Sequence, residues 1–170
     1  DEKRIVSSTG ALSLNKCPKK LVVIGAGYIG LELGTVWARL GAKVEVIEFL
    51  PRILPGMDDE IAKKFMAIVK KQGLSFRLST AVKQVKSSKV GVTLAVQPAN
   101  GGNPESISAD IALVSVGRHP ATDGLGLEAA GVVLTECGRI AVDSRFETSL
   151  DDVYAIGDVI EGPMLAHKAE

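Results

Sequence analysis

The sequence predicts an α/β fold, a parallel sheet with helices on it and an antiparallel β-meander insertion, on three observations. A wholly apolar run, Leu21-Val22-Val23-Ile24, leads into a glycine-rich turn and then into apolar residues at helical spacing. A second β-like run, Lys43 to Glu48, follows directly. From Val82 to Ile107 the pattern changes to short alternating stretches around the turn Asn100-Gly101-Gly102-Asn103. An unbroken apolar strand suits a parallel sheet covered on both faces. Strand, helix and strand within about thirty residues make a βαβ unit, so the sheet is expected to be Rossmann-like.

The elements follow in order. Residues 1–18 carry the turn-forming Ser7-Ser8-Thr9-Gly10 and end at Cys17-Pro18, which reads as an interdomain linker with one helical turn. After the first strand, Ile29, Leu33, Val36, Trp37 and Leu40 mark the apolar face of a helix that Gly41 stops. Asp58 can cap a second helix with Ile61, Phe65, Ile68 and Val69 on its apolar face, and Gly73 closes it. Leu74 to Leu78 is expected as a third strand, and Asp110 to Val116 as a buried one ending at Gly117. Asp152 to Asp158 reads as a strand running into a Gly-Asp turn, followed by a helix over 164–170. The expected organisation is a linker over 1–18, a dinucleotide-binding domain over 19–142 and a further segment over 143–170.

Composition narrows the function classes. Lys plus Arg equals Asp plus Glu at 20 each, so the basic excess of a nucleic-acid binder is missing. The longest apolar runs are too short to span a bilayer. Cys17 and Cys137 form no C-x-x-C pair and read as free thiols of a reducing compartment. The start, Asp1-Glu2-Lys3-Arg4, has no leader character. With no initial Met and an end inside a predicted helix, the chain reads as an excerpt of a longer protein.

Gly25-Ala26-Gly27-Tyr28-Ile29-Gly30 is a G-x-G-x-x-G motif in the context that gives it meaning: after a buried strand and opening a helix. Gly25 permits the tight turn, Gly27 lets the backbone approach a pyrophosphate, and Gly30 lets the helix pack on the sheet. The N–H groups of the helix start then hold the phosphates. Glu48 ends the second strand, where a carboxylate accepts hydrogen bonds from an adenosine ribose. A 2′-phosphate there would face like charge; one such pair about 4 Å apart costs roughly 4 kcal/mol in a surface-like dielectric. NAD is therefore expected rather than NADP. Arg52 is the one nearby cation that weakens the argument.

The wording of these motifs is more specific than a fold. Leu21 to Gly41, Glu48 to Asp58 and Ser115-Val116-Gly117-Arg118 closely resemble the NAD domain of dihydrolipoamide dehydrogenases, within the FAD-dependent pyridine nucleotide-disulfide oxidoreductase family. Val153 to Val159 and Gly162 to Lys168 are similar to that family's second flavin-binding segment. The resemblance implies electron flow from dihydrolipoamide through a disulfide and FAD to NAD+. It implies an NAD site formed by Gly25, Ala26, Gly27, Tyr28, Ile29, Gly30, Leu31 and Glu32, with Glu48 on the ribose, Val82 beside the adenine and Gly117 under the nicotinamide half. It also implies FAD contacts at Asp158 and at Met164, Leu165, Ala166 and His167. Tyr28 would shield the flavin, and Glu32 would lie near the nicotinamide amide. NADPH-using relatives carry arginines where Phe49 and Pro55 stand here. By the same resemblance, the partners are NAD(H) and the lipoyl-bearing proteins of 2-oxo acid dehydrogenase complexes, the intact enzyme is a homodimer, and the location is the mitochondrial matrix, or otherwise the cytoplasm.

Neither cysteine matches a redox position and His167 is not the family's catalytic base, so no catalytic residue is expected in this chain and no turnover from it alone. The alternatives are another flavoprotein of the same superfamily, such as an NADH oxidase, mercuric reductase or glutathione-type reductase, or a nucleotide-binding module without redox chemistry. A single-cofactor Rossmann dehydrogenase would leave Gly157-Asp158 unexplained.

Overall fold

The computed structural model describes residues 1–170, which divide into two compact units, Asp1–Gly117 and Arg118–Glu170. In the first unit, strands β1 (Ile5–Val6), β2 (Lys20–Ile24), β3 (Lys43–Ile47), β4 (Leu74–Arg77) and β8 (Ile111–Val114) form one parallel sheet in the order β1-β8-β2-β3-β4. Strands β5 (Thr80–Ser87), β6 (Val92–Pro98) and β7 (Glu105–Ala109) form a separate antiparallel sheet. This is the α/β arrangement expected, with the meander inserted between β4 and β8.

β2 is central because Leu21, Val22 and Val23 have no solvent exposure, so both faces of the strand are covered. Helices α1 (Ser8–Leu12), α2 (Tyr28–Arg39) and α3 (Asp59–Lys71) belong to one core with Leu21, Val23, Val44, Val46 and Leu113. The opposite face of the sheet, through Val22, Ile24, Ile47 and Ala112, packs on the meander's Leu94, Val96 and Ile107. The segment 1–18 supplies the expected helical turn as α1 and adds β1 as an edge strand beside β8.

Both long helices bury part of the expected face, Trp37 with Leu33 on α2 and Val69 with Phe65 on α3, but the buried stripe is rotated away from the rest of it. α2 buries Gly30, Leu31, Gly34 and Trp37, while Val36 and Leu40 are exposed. The two glycines bring the helix down onto the sheet: a Cβ on Gly34 would touch Val44, Val23 and Leu74 at 3.5–3.7 Å. α3 buries Ala62 and Val69 and packs Phe65 and Met66 on the core, leaving Ile61 and Ile68 exposed. Its phase starts at Asp58, whose carboxylate accepts from the N–H groups of Glu60 and Ile61 at 2.9 and 3.0 Å.

The second unit contains α4 (Leu127–Ala130), a 3-10 turn over Gly157–Val159 and α5 (Ala166–Ala169) around a small core of Val132, Ile140, Ala155 and Ile160. The strand expected over 152–158 is reduced to one antiparallel bridge, Glu147 to Tyr154, and the helix expected over 164–170 to the four residues of α5. Pairing continues to Ala155, whose N–H donates to the Phe146 carbonyl at 3.0 Å, and Gly157, at φ 75°, then takes the chain into the 3-10 turn. No helix is long and apolar enough to cross a membrane.

Candidate functional site

The site in the first unit begins where β2 ends. Gly25 takes φ +101°, and a Cβ on it would stand 2.4 Å from the carbonyl oxygen of Ser115, so only glycine makes this turn without displacing backbone. The N–H of Gly25 donates to the carbonyl of Ile47 at 2.8 Å, tying the turn to the end of β3. Gly27 caps α2 in extended conformation with no side-chain partner. The N–H groups of the helix's first turn have no intrahelical acceptors and sit at the positive end of its dipole.

Gly27 and Gly30 differ in the space around them. A Cβ on Gly30 would lie 2.3 Å from the carbonyl oxygen of Gly25 and 2.6 Å from Ser115 Oγ, so that glycine serves packing. A Cβ on Gly27 would meet nothing within 4 Å. Glycine is tolerated at an N-cap, and the open space at 27 also lets a pyrophosphate approach the backbone. The loop therefore fits a dinucleotide.

Glu48 is the buried charged residue of the molecule, 9% exposed. Its carboxylate is held on both sides: Oε2 accepts from the N–H of Ala26 at 2.7 Å and Oε1 from the N–H of Leu50 at 2.9 Å. Its backbone is fixed as well, donating to the carbonyl of Arg77 and accepting from the N–H of Thr80, each at 2.9 Å. Both donors are neutral amides, so the carboxylate is positioned without a cation paired to it. The arrangement presents a fixed carboxylate beside the glycine loop.

The other residues expected at an NAD site fall into three groups. Tyr28, 40% exposed, and Glu32 are on the open surface of α2, with Ile29 half-buried. Ala26 and Leu31 have side chains in the core and can serve a ligand only through the backbone, and the N–H of Leu31 already donates to the Gly27 carbonyl at 3.1 Å. Val82 is half-buried on β5 opposite Val96, and Gly117 takes φ +140° with open space at its Cβ position.

In the second unit, Asp158 lies in the 3-10 turn, where its Oδ2 accepts from the Arg118 guanidinium at 3.1 Å. Its Oδ1 bonds to nothing within the chain. Met164 and Leu165 are half-buried, and Ala166 and His167 are exposed at the start of α5.

Three residues that shape the site carry little sequence signal. Ser115 Oγ donates to the carbonyls of Ile24 and Gly25 at 3.1 and 3.3 Å and so braces the glycine turn; a polar residue directly after a buried strand was the only cue. Leu54, in left-handed conformation at φ 49°, donates its N–H to the Ala26 carbonyl at 2.9 Å. The guanidinium of Arg52 donates to the Asp59 carboxylate and to the Met57 carbonyl.

Comparison with known proteins bears on the same residues. The family model described as pyridine nucleotide-disulphide oxidoreductase matches residues 1–170. The chain is 59% identical to dihydrolipoyl dehydrogenase 2, mitochondrial, of Arabidopsis thaliana, over 100% of this chain and 34% of that protein. It is 58% identical to a leghemoglobin reductase of Glycine max, over 100% of this chain and 32% of that one. Among solved structures, an HOCl-induced flavoprotein disulfide reductase of Escherichia coli superposes with a TM-score of 0.87 at 31% identity, covering 98% of this chain and 37% of that chain. The chain thus spans about a third of the length of the curated relatives it matches.

Proposed function

The chain belongs to the pyridine nucleotide-disulphide oxidoreductase family, and on that premise we propose that it is the NAD-binding part of a dihydrolipoamide dehydrogenase. The observation that carries the reading is the open space at Gly27 beside the buried, doubly held carboxylate of Glu48. In this reading the Gly27 to Gly30 amides bind the pyrophosphate and Glu48 accepts from the ribose hydroxyls. Its uncancelled charge rejects a 2′-phosphate. Tyr28, Ile29 and Glu32 line the nicotinamide side, Val82 the adenine side, and Gly117 admits the nicotinamide close to the backbone, while Ala26 and Leu31 support the loop. Residues 19–142 are then the NAD-binding domain, 1–18 an interdomain linker and 143–170 the start of a returning FAD-domain segment.

The parent enzyme passes electrons from dihydrolipoamide to an active-site disulfide and on to NAD+, with FAD, when bound, supplying the two-electron carrier between them. Asp158, with one carboxylate oxygen free, accepts from the flavin's ribityl chain, and residues 164–167 contact its pyrimidine edge. Its partners are lipoyl-bearing proteins of 2-oxo acid dehydrogenase complexes, its assembly a homodimer and its place the mitochondrial matrix, a reading supported by relatives named mitochondrial. The catalytic disulfide lies outside this chain, whose Cys17 and Cys137 are free and exposed.

The test is calorimetric titration of the chain with NADH and NADPH in parallel. NADH is expected to bind at least tenfold tighter, Glu48→Gln to narrow that gap, and Gly27→Ala to abolish both titrations while the far-UV spectrum stays native. Equal affinities in the unsubstituted protein overturn the reading.

A further inference from the structure

Arg52 raises a problem that the geometry resolves. It is a cation four residues beyond the carboxylate that reads the ribose, on the loop that runs alongside the glycine turn. Two hydrogen bonds link that loop to the site: Leu54 N–H to the Ala26 carbonyl at 2.9 Å, and Ala26 N–H to Glu48 Oε2 at 2.7 Å. A guanidinium on this loop that reached the ribose side of Glu48 would bind a 2′-phosphate through paired donors. Left free, it would offset the repulsion from Glu48.

It is not free. One nitrogen of its guanidinium donates to the Asp59 carboxylate, another to the Met57 carbonyl and Nε to the Ile53 carbonyl at 3.4 Å. All three acceptors belong to the same loop and the first residue of α3. Asp59 is itself well placed, because a carboxylate in the first turn of a helix is stabilised by the N-terminal end of the dipole. The loop's path gives Arg52 this direction: Leu54 takes φ 49° and Gly56 φ +92°, turning the chain back so that Met57 and Asp59 face the guanidinium. An exposed ion pair alone holds a side chain weakly. Here two carbonyls act with it, and the Arg52 side chain is only 35% exposed.

We propose that Asp59 determines nucleotide specificity by sequestering Arg52, so that NADPH meets Glu48 without a compensating cation. The inference rests on the NAD reading above and adds a second determinant to it, in a residue that touches no ligand. Releasing Arg52 leaves Glu48 in place, so NADPH does not become the preferred nucleotide; the preference narrows.

The experiment measures NADH and NADPH affinity for the unsubstituted chain, Asp59→Asn, Asp59→Ala, Arg52→Ala and the Asp59→Ala/Arg52→Ala double variant. Asp59 does not cap α3, a task that belongs to Asp58, so the Asp59 variants keep the helix. The expected result is a three- to tenfold narrowing of the NADH-over-NADPH ratio in both Asp59 variants, arising on the NADPH side and shrinking at high salt. Arg52→Ala alone leaves the ratio unchanged, and adding it to Asp59→Ala restores the original ratio. An unchanged ratio in the Asp59 variants, or a narrowing that persists without Arg52, overturns the proposal while the NAD reading stands. Failure of the unsubstituted chain to discriminate between the nucleotides overturns the NAD reading, and this proposal with it.

Discussion

From Asp1 to Gly117 the chain is held by ladders, five parallel strands and a three-stranded meander packed through two apolar cores. From Arg118 to Glu170 its β pairing is two isolated bridges, and polar side chains stabilise the turns. Asp143 accepts from the N–H groups of Arg145 and Glu147 at 2.7 and 3.0 Å, Ser149 joins Val133 to Gly131, and Arg139 reaches the carbonyls of Ile160 and Gly162. The difference decides what is left for chemistry. In the first region the ladders carry most of the shape, so Tyr28 and the amides of α2 are open at the strand ends, and Glu48 there braces the glycine turn. In the second, side chains such as Asp143, Ser149 and Arg139 are committed to shape, and Asp158 keeps one carboxylate oxygen without a partner.

Gly30→Ala tests the ladder-built region most severely. Its new Cβ would collide with the Gly25 carbonyl and Ser115, both rigidly placed, and the expected loss is about 3 kcal/mol, the upper range for overpacking. Urea unfolding followed by Trp37, the single tryptophan and 8% exposed in the first core, reads it. Amide exchange over 118–170 should be unchanged; equal loss of protection there would merge the two regions into one cooperative unit. Ile140→Ala is the converse, expected to cost about 2 kcal/mol, at the low end for a core deletion, since the second core is small. Exchange should quicken over 118–170 with the Trp37 transition in place.

The smallest effect is one of pH. Hydrogen bonds from the Arg145 and Glu147 amides hold the Asp143 carboxyl below its ordinary value of 3.8. A depressed folded value means the contribution is complete above the unfolded value and is lost as pH falls through the lower folded one. Protection of the Arg145 and Glu147 amides should therefore survive to pH 3.8 and fail below it. Asp143→Ala should remove that dependence; an identical acid profile in the variant breaks the account.

The same contrast governs what was legible in the sequence. β2, the glycine turn, α2 and β3 were readable because buried parallel strands and a glycine fingerprint are written in residue type. The meander was readable from alternation and from Asn100 to Asn103. The buried faces of the helices were readable only in part, through Leu33, Trp37, Phe65 and Val69. Bulk drew attention to Val36, Ile61 and Ile68, while the packing used Gly34 and Ala62, where absence of side chain sets the approach. Over 152–158 the apolar residues suggested a strand that Gly157, at φ 75°, cuts short after the bridge at Tyr154. At the site, the charge and place of Glu48 were legible, but its amide partner at Ala26 and the brace at Ser115 depend on contacts between distant segments, and the local bonds of Leu50 and Arg52 depend on the exact path of the loop.

The double grip on Glu48 has a consequence for how such a protein can change over generations. One side chain holds the turn at Ala26, holds the chain at Leu50, and faces the place where nucleotides differ. A lineage that replaces it to accept a different nucleotide loses two backbone anchors in the same step. Altered preference is more accessible through the loop beyond it, where single substitutions leave those anchors untouched.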